Sequence, residues 1–294
     1  MSHVATLVSN PVRPAVDTAA IAKARSLLPN AISETVLKPG VAADIFFAPG
    51  PDAEARELGD LVRAALAPSP IDVVVQETAF RRKKLFVADM DSTMIDQECI
   101  DELADYAGLK AHVAAITERA MRGELPFEPA LRERVALLKG LPLSVIDETI
   151  EKKITLAAGG EELIRTLKAN GVYTCLVSGG FTLFTNVIAR KLGFDENRAN
   201  ELLVEDGKLT GMVREPILGR AAKLSTLREL TEKLGIRAEE TIAIGDGAND
   251  LDMITATGLG VAIHAKPAVA AAAQARIDHA DLSALLYCCG LSAG

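Results

Sequence analysis

Three short apolar segments, each followed at once by polar residues, constrain the fold of this chain more than any other feature. They are residues 85–88, 172–177 and 241–244, and helical patterns separate them. Apolar runs of this kind are typical of strands that are buried on both faces of a sheet. The sequence therefore predicts an α/β core with parallel strands, whose carboxyl ends share the edge where ligands bind in open α/β folds.

The first of these strands ends in a pair of carboxylates, Asp89 and Asp91. Residues i and i+2 of an extended chain point the same way, so the two side chains should converge on one site. In such a pair, one carboxylate can attack as a nucleophile while the other holds a proton for a leaving group. A metal-holding turn or a solvated loop is the alternative. An EF-hand is excluded, because Thr93 and Met94 stand where that loop requires Asp or Asn and then Gly.

The other two strands end in polar clusters of complementary chemistry. Ser178 and Gly179 offer a hydroxyl and an N–H as a small oxyanion pocket at the start of a helix. The acidic segment 245–250, together with the first carboxylate pair, forms a hard oxygen site suited to Mg²⁺. Lys223 adds a positive charge, although such a lysine taken alone is usually a surface residue. A metal, an anion pocket, a lysine, a nucleophile and an acid together predict phosphoryl transfer from a monoester.

Two common nucleotide motifs are missing from the sequence. It contains neither a GxxxxGK[ST] loop nor a GxGxxG fingerprint. A Walker-type NTPase and a dinucleotide-binding protein are therefore disfavoured.

Residues 1–80 form a predicted unit of their own, with the order βαββαβ of a ferredoxin-like sandwich. The predicted strands and helices are residues 4–8, 17–28, 31–37, 41–47, 52–66 and 71–76, with Asp17 capping the first helix. In outline the unit resembles an ACT-type regulatory module. Its loop at 9–14 lacks the Gly that amino-acid-binding ACT modules often carry, so we expect a packing or dimerisation role.

A helical stretch follows the first carboxylate pair. Four helices are predicted at residues 98–106, 113–122, 129–139 and 144–154, with Ser144 as the N-cap of the last. A bundle inserted at this point would cover the end of the first core strand as a lid that excludes water. The expected domains are 1–80 for the ACT-like module, 84–96 with 156–294 for the core, and 97–155 for the helical cap.

The rest of the core alternates strands and helices. The further predictions are helices at 159–170, 181–192, 221–234, 252–256 and 268–275, a hairpin of 201–205 with 209–213, and a strand at 259–263.

Composition narrows the class of partner and the compartment. A formal net charge of −8 argues against a general nucleic-acid binder. The four cysteines form no CxxC pair, and no apolar run is long enough to span a bilayer. We therefore expect a soluble, cytoplasmic protein with a small-molecule substrate, no nucleic-acid or membrane partner, and a homodimer as a possible assembly.

The motifs, taken together, resemble those of a known family. Asp-Met-Asp-Ser-Thr-Met-Ile at 89–95, Val-Ser-Gly-Gly-Phe at 177–181, Lys223 and Gly-Asp-Gly-Ala-Asn-Asp at 245–250 look like the four motifs of the haloacid dehalogenase-like (HAD) phosphatases. An early Glu98 and the segment 127–135 resemble the phosphoserine phosphatase branch in particular. The resemblance covers about residues 84–290. It implies a Rossmann-like three-layer core with an inserted helical cap.

The resemblance also implies how the catalytic carboxylates work. Asp89 would be the nucleophile that becomes an aspartyl phosphate. Asp91 would protonate the serine oxygen and then act as base for the hydrolytic water. Mg²⁺ would be held by the Asp89 side chain, the Asp91 carbonyl and Asp246, with Asp250 ordering the surroundings of the metal.

The same resemblance implies the residues that bind the substrate. Glu98 would face the substrate ammonium, and Arg134 would pair with its carboxylate, to which guanidinium offers a planar fork. Met121 and Phe127 would wall the pocket, although core packing is an equal interpretation for both. The phosphoryl oxygens would be held by Ser178, Gly179, Lys223 and Asn249.

The implied activity is Mg²⁺-dependent hydrolysis of O-phospho-L-serine, the last step of serine biosynthesis. One alternative is a phosphotransferase on the same scaffold that passes the phosphoryl group to another alcohol such as homoserine. The other is a non-catalytic, serine-sensing regulator.

Overall fold

The computed structural model describes residues 2–50 and 53–292. Its N-terminal part is an antiparallel sheet of strand order β2-β3-β1-β4 with two helices, which confirms the predicted βαββαβ order. The predicted start of the second helix at Asp52 lies outside the described residues. The elements are β1 (His3–Val8), α1 (Thr18–Leu27), β2 (Ser33–Lys38), β3 (Ala42–Phe47), α2 (Ala55–Leu66) and β4 (Asp72–Glu77).

Both faces of the strands β1, β3 and β4 of this N-terminal sheet are buried, whereas β2 is largely exposed. Asp17 starts α1 as predicted, because its carboxylate accepts a hydrogen bond from the Ala20 N–H at 2.7 Å. Ala5 and Leu7 of β1 pack in one apolar cluster with residues of α1 and α2. Val8 belongs to the other main cluster, which includes the C-terminal segment of the chain. The sheet is therefore sandwiched between its own helices and the rest of the protein.

The core is a six-stranded parallel sheet of order β12-β11-β10-β5-β6-β7, as the apolar segments predicted. A two-stranded hairpin, β8 with β9, stands apart from it. In chain order the elements are β5 (Leu85–Ala88), α3 (Cys99–Asp105), α4 (Lys110–Met121), α5 (Phe127–Ala136), α6 (Ser144–Lys152), α7 (Gly160–Ala169), β6 (Tyr173–Phe181), α8 (Thr182–Leu192), β7 (Glu196–Asn200), β8 (Leu202–Glu205), β9 (Lys208–Val213), α9 (Arg220–Lys233), β10 (Thr241–Gly245), α10 (Leu251–Ala256), β11 (Leu259–Ile263), α11 (Pro267–Ala272), β12 (Ala275–Ile277) and α12 (Ala284–Cys288), with short 3₁₀ turns at Ala238–Glu240 and Ala248–Asp250.

The two faces of β5 show why the strand is apolar throughout. Phe86 lies in the cluster that includes residues of α7 and α8, whereas Leu85 and Val87 lie in the cluster that includes Leu227 of α9. A strand covered by helices on both faces has no solvated side, so period-2 alternation is absent. This three-layer arrangement places the ends of β5, β6 and β10 side by side.

Several local predictions differ from the structure. Ser144 is the first residue of α6 rather than its cap, since Leu143 precedes the helix and no side chain caps it. Strand β6 runs on through Ser178 and Gly179 to Phe181, because Phe181 still pairs with Asn200 of β7. The oxyanion pocket predicted at a helix start therefore lies in the last residues of a strand.

Three elements, β7, β12 and α12, were not predicted from the sequence. Strands β7 and β12 are the two edges of the core sheet. Strand β7 reads Glu-Asn-Arg-Ala-Asn and carries mostly half-exposed residues. Its Glu196 accepts a hydrogen bond from the Tyr173 hydroxyl at 2.7 Å and pairs with Arg198 at 2.8 Å. An edge strand held by polar contacts gives no hydrophobic signal to a pattern search.

The N-terminal sheet is fastened to the core by buried polar contacts. Asp72, fully buried in β4, accepts hydrogen bonds from the N–H groups of residues 278, 279 and 280 at 2.8, 3.0 and 2.8 Å. Gln76 donates to the carbonyl of Cys288 at 2.7 Å. Arg81 pairs with Asp44 at 2.7 Å and also donates to the carbonyl of Tyr287 at 2.6 Å.

Among the described residues, no helix is both long and apolar enough to cross a membrane.

We expect Asp72→Ala to lower the free energy of unfolding by about 2–4 kcal/mol, because three N–H groups, one of them in the buried Ala280, lose the carboxylate of a fully buried residue as acceptor. Urea denaturation of the full chain measures it. Glu57→Ala, an exposed carboxylate of α2, is the control and should stay within about 0.5 kcal/mol of wild type. An equally small effect of Asp72→Ala would contradict the structural role of this contact.

Candidate active site

Three buried carboxylates meet at the carboxyl edge of the core sheet. Asp89 follows β5, Asp246 follows β10, and Asp250 ends the 3₁₀ turn after it. One oxygen from each lies within 4.8 Å of the others. The residues are 4%, 4% and 0% exposed. Burial and mutual repulsion raise the pKa of Asp89 and that of Asp246 well above the usual value.

Lys223 supplies the positive charge of this cluster. It is fully buried, and its Nζ lies 2.6 Å from Oδ1 of Asp89 and 2.6 Å from Oδ1 of Asp250. Burial alone would lower the pKa of Lys223, but the two carboxylates outweigh burial and raise it. One ammonium faces three carboxylates, so the cluster fits a divalent cation with hard oxygen ligands.

Asp91 is held in a different way from the other carboxylates. Its Oδ1 accepts the Cys99 N–H at 2.8 Å, and its Oδ2 accepts the Ser178 hydroxyl at 3.0 Å. Its side chain is not a member of the three-carboxylate group. The two carboxylates at the end of β5 therefore have different surroundings. Asp89 belongs to the three-carboxylate cluster, and Asp91 contacts the end of β6.

The end of β6 is built without side-chain bulk. A Cβ on Gly179 would lie 2.5 Å from Cζ of Phe127. The hydroxyl of Ser178 also accepts the N–H of Gly180 at 2.8 Å. Only glycine at position 179 lets the Phe127 ring lie against the strand.

Asn249 leaves one polar atom without a partner. Its Oδ1 is buried and has no hydrogen-bond donor among the described residues. Gly247 lies against it, since a Cβ there would be 2.6 Å from this oxygen and 2.8 Å from Sδ of Met121. An unpaired buried oxygen beside a cavity is the feature that a ligand would satisfy.

The helical insertion, α3 to α6, carries the other charged residues of the site. Glu98 accepts the Ser92 hydroxyl at 2.8 Å, and burial together with the nearby Asp91 raises the pKa of Glu98 to about 8. Arg134 is 2% exposed and donates to the Ala130 carbonyl at 3.0 Å. Burial lowers the pKa of Arg134 against the opposing effect of Glu98.

One cavity of about 400 Å³, counted with its open mouth, joins these parts. Four of the twelve predicted site residues, Ser178, Lys223, Asp246 and Asp250, are buried and are not among the residues that line it. The other eight line it: Asp89, Asp91, Glu98, Met121, Phe127, Arg134, Gly179 and Asn249.

Some residues of the site were not among those predicted from the sequence. Ile100 and Leu131 also line the cavity, and Thr93 donates to Asp246 at 3.3 Å. The i, i+3 spacing of Leu131 and Arg134 on α5 was a signal that could have found Leu131.

The chain belongs to the haloacid dehalogenase-like hydrolase family, whose model matches residues 86–255. Its similarity is to the phosphoserine phosphatases of that family. A phosphoserine phosphatase of Methanocaldococcus jannaschii is 45% identical over 206 residues, which are 70% of this chain and 97% of that protein.

Two solved structures are also similar. A substrate-bound phosphoserine phosphatase is 44% identical with a TM-score of 0.67, covering 70% of this chain and 98% of the other. An unliganded probable phosphoserine phosphatase from Vibrio cholerae is 32% identical with a TM-score of 0.74, covering 100% of this chain and 90% of the other. The chain spans between 55% and 66% of the length of several curated relatives that it matches.

We expect saturating Mg²⁺ to raise the melting temperature by about 3–8 °C, since a ligand that binds only the folded state stabilises it. Asp246→Asn should reduce the rise to about 1 °C or less by removing one ligand oxygen charge. Differential scanning fluorimetry with Mg²⁺ or EDTA measures it. Asp252→Asn, which removes a partly exposed carboxylate of α10, should keep the full rise. A full rise in Asp246→Asn would exclude Asp246 as a ligand.

Proposed function

We propose that this protein is a Mg²⁺-dependent phosphatase that hydrolyses O-phospho-L-serine to L-serine and phosphate. The observation that carries the proposal is one cavity with two chemically different walls. Asp89 and Asp91 lie on the core side, and Glu98 and Arg134 lie on the side of the helical insertion. A small phosphomonoester with an ammonium and a carboxylate matches both walls. The similarity to phosphoserine phosphatases supports the same substrate.

Asp89 is the proposed nucleophile, attacking phosphorus to form an aspartyl phosphate. Lys223 already contacts Oδ1 of Asp89, so the ammonium stabilises the ionised form that attack requires. The proposed Mg²⁺ ligands are the Asp89 side chain, the Asp91 carbonyl and Asp246, with Asp250 ordering them. The ion would supply charge stabilisation for the phosphoryl oxygens.

Asp91 is the proposed general acid, and later the base. It donates a proton to the leaving serine oxygen and then takes one from the water that hydrolyses the aspartyl phosphate. The Cys99 N–H and the Ser178 hydroxyl fix its orientation. Ser178, the Gly179 N–H, Lys223 and Asn249 are the proposed phosphoryl-oxygen ligands.

The helical insertion is the proposed source of specificity. Arg134 offers guanidinium N–H groups to the substrate carboxylate, and Glu98 offers a carboxylate to the ammonium, whose positive charge favours the ionised form of Glu98. Met121 and Phe127 line the cavity between these groups and the core.

We also propose the domain division 1–80, 84–96 with 156–294, and 97–155. The four cysteines are buried and free, which supports a cytoplasmic location, and the homodimer stays a prediction.

The test is phosphate release from a panel of phosphorylated metabolites, with Mg²⁺ present and absent. We expect O-phosphoserine to be the best substrate, and Asp89→Asn to lower kcat at least about 10³-fold because the nucleophile is lost. Added homoserine or other alcohols should not divert the phosphoryl group. Equal activity of Asp89→Asn and wild type would refute the proposal, and transfer to alcohol would favour the phosphotransferase instead.

A further inference from the structure

A series of side-chain hydrogen bonds crosses the helical insertion and ends on the guanidinium of Arg134. Nη1 of Arg134, on α5, donates to the hydroxyl of Thr117 on α4 at 3.0 Å. That hydroxyl donates to Oδ1 of Asp101 on α3 at 2.6 Å. Thr117 and Arg134 are each 2% exposed, and Asp101 is half-buried. One side chain from each of three helices therefore joins a single chain of contacts.

These hydrogen bonds leave part of the guanidinium of Arg134 free. Nε is used by the Ala130 carbonyl, and one hydrogen of Nη1 by Thr117. Within residues 2–50 and 53–292, no acceptor bonds Nη2 and no carboxylate oxygen lies within 4.0 Å of the guanidinium. Nη2 is also not one of the buried atoms without a partner, and Arg134 lines the cavity. Nη2 and the second hydrogen of Nη1 therefore remain for a ligand.

Thr117 explains why a buried arginine stays unpaired so close to acidic residues. A direct contact with Asp101 would occupy the guanidinium fork with an internal carboxylate. The hydroxyl stands between the two groups, accepting from Arg134 and donating to Asp101. A hydroxyl has one hydrogen, and the Val113 carbonyl at 3.1 Å is a more distant acceptor than Asp101. The series of hydrogen bonds through Thr117 fixes the orientation of the guanidinium and leaves its outer edge open.

We propose that Thr117 is a positioning residue, held by Asp101, that selects substrates carrying a carboxylate by aiming the free edge of Arg134 into the cavity. This inference rests on the proposed function, in which Arg134 binds the substrate carboxylate. It assigns specificity to two residues that need not touch the substrate. The chemical class they select is a phosphomonoester with a carboxylate near the ester oxygen.

The experiment compares KM and kcat for O-phosphoserine and for O-phosphoethanolamine, which keeps the ammonium and lacks the carboxylate. Thr117→Val should raise KM for O-phosphoserine about tenfold, because the guanidinium loses its fixed orientation. The KM for O-phosphoethanolamine and both kcat values should change less than about twofold. Thr117→Ser keeps the hydroxyl and should restore the wild-type KM.

Thr149→Val is the matched control for loss of a buried hydroxyl. Thr149 is fully buried in α6 of the same insertion, and in the described part of the chain its hydroxyl bonds only the Val145 carbonyl, at 2.6 Å. This variant should keep the ratio of the two KM values. A Thr117→Val variant with an unchanged KM ratio, whether or not its melting temperature falls, would overturn the inference.

Arg134→Ala separates failure of the inference from failure of the proposed function. In the expected case it raises KM for O-phosphoserine more than Thr117→Val does and spares O-phosphoethanolamine. If Arg134→Ala discriminates and Thr117→Val does not, the inference alone is wrong. If wild type does not hydrolyse O-phosphoserine, or if Arg134→Ala affects both substrates equally, the assigned role of Arg134 is wrong and the inference fails with it.

Discussion

The contact between the Lys223 ammonium and the carboxylates of Asp89 and Asp250 is the interaction on which the site depends. Three carboxylates brought together in a buried place repel one another, and burial alone favours their neutral forms. The 2.6 Å contacts of Lys223 offset part of that repulsion. The remaining negative charge is what a divalent cation would neutralise. This excess of negative charge is the physical basis of the proposed affinity for Mg²⁺.

The parallel sheet converts this local contact into a working cavity. Because β5 lies between β10 and β6, the three-carboxylate cluster and the Ser178 end of β6 lie on either side of the end of β5. Asp89 faces the cluster, and Asp91 contacts Ser178. The helical insertion adds Arg134 from a separate set of elements. The proposed chemistry and the proposed substrate recognition therefore come from different parts of the chain.

The sequence was sufficient for the residues that follow buried strands, and insufficient for those fixed by packing between elements. Asp89 and Asp246 could be brought together because apolar runs located the strand ends. The full burial of Lys223 was not predicted because a lysine taken alone is usually a surface residue, although the buried Leu227 and Leu230 lie on the same face of α9. Strand β7 was not predicted because it is an edge strand whose residues are mostly polar, so it lacks an apolar pattern. Thr117 was missed because its partners come from two other helices and gain meaning only through contact.

In the proposed reaction, the Asp89 carboxylate bonds to the phosphorus atom of the substrate. The most direct measurement is to quench the enzyme during turnover of O-phosphoserine, reduce it with borohydride, and identify the altered residue by peptide mass spectrometry. Borohydride converts an acyl phosphate of aspartate to homoserine, so the account predicts homoserine at position 89 and at no other aspartate. Reduction at another residue, or no reduction under conditions where phosphate is released, would contradict it.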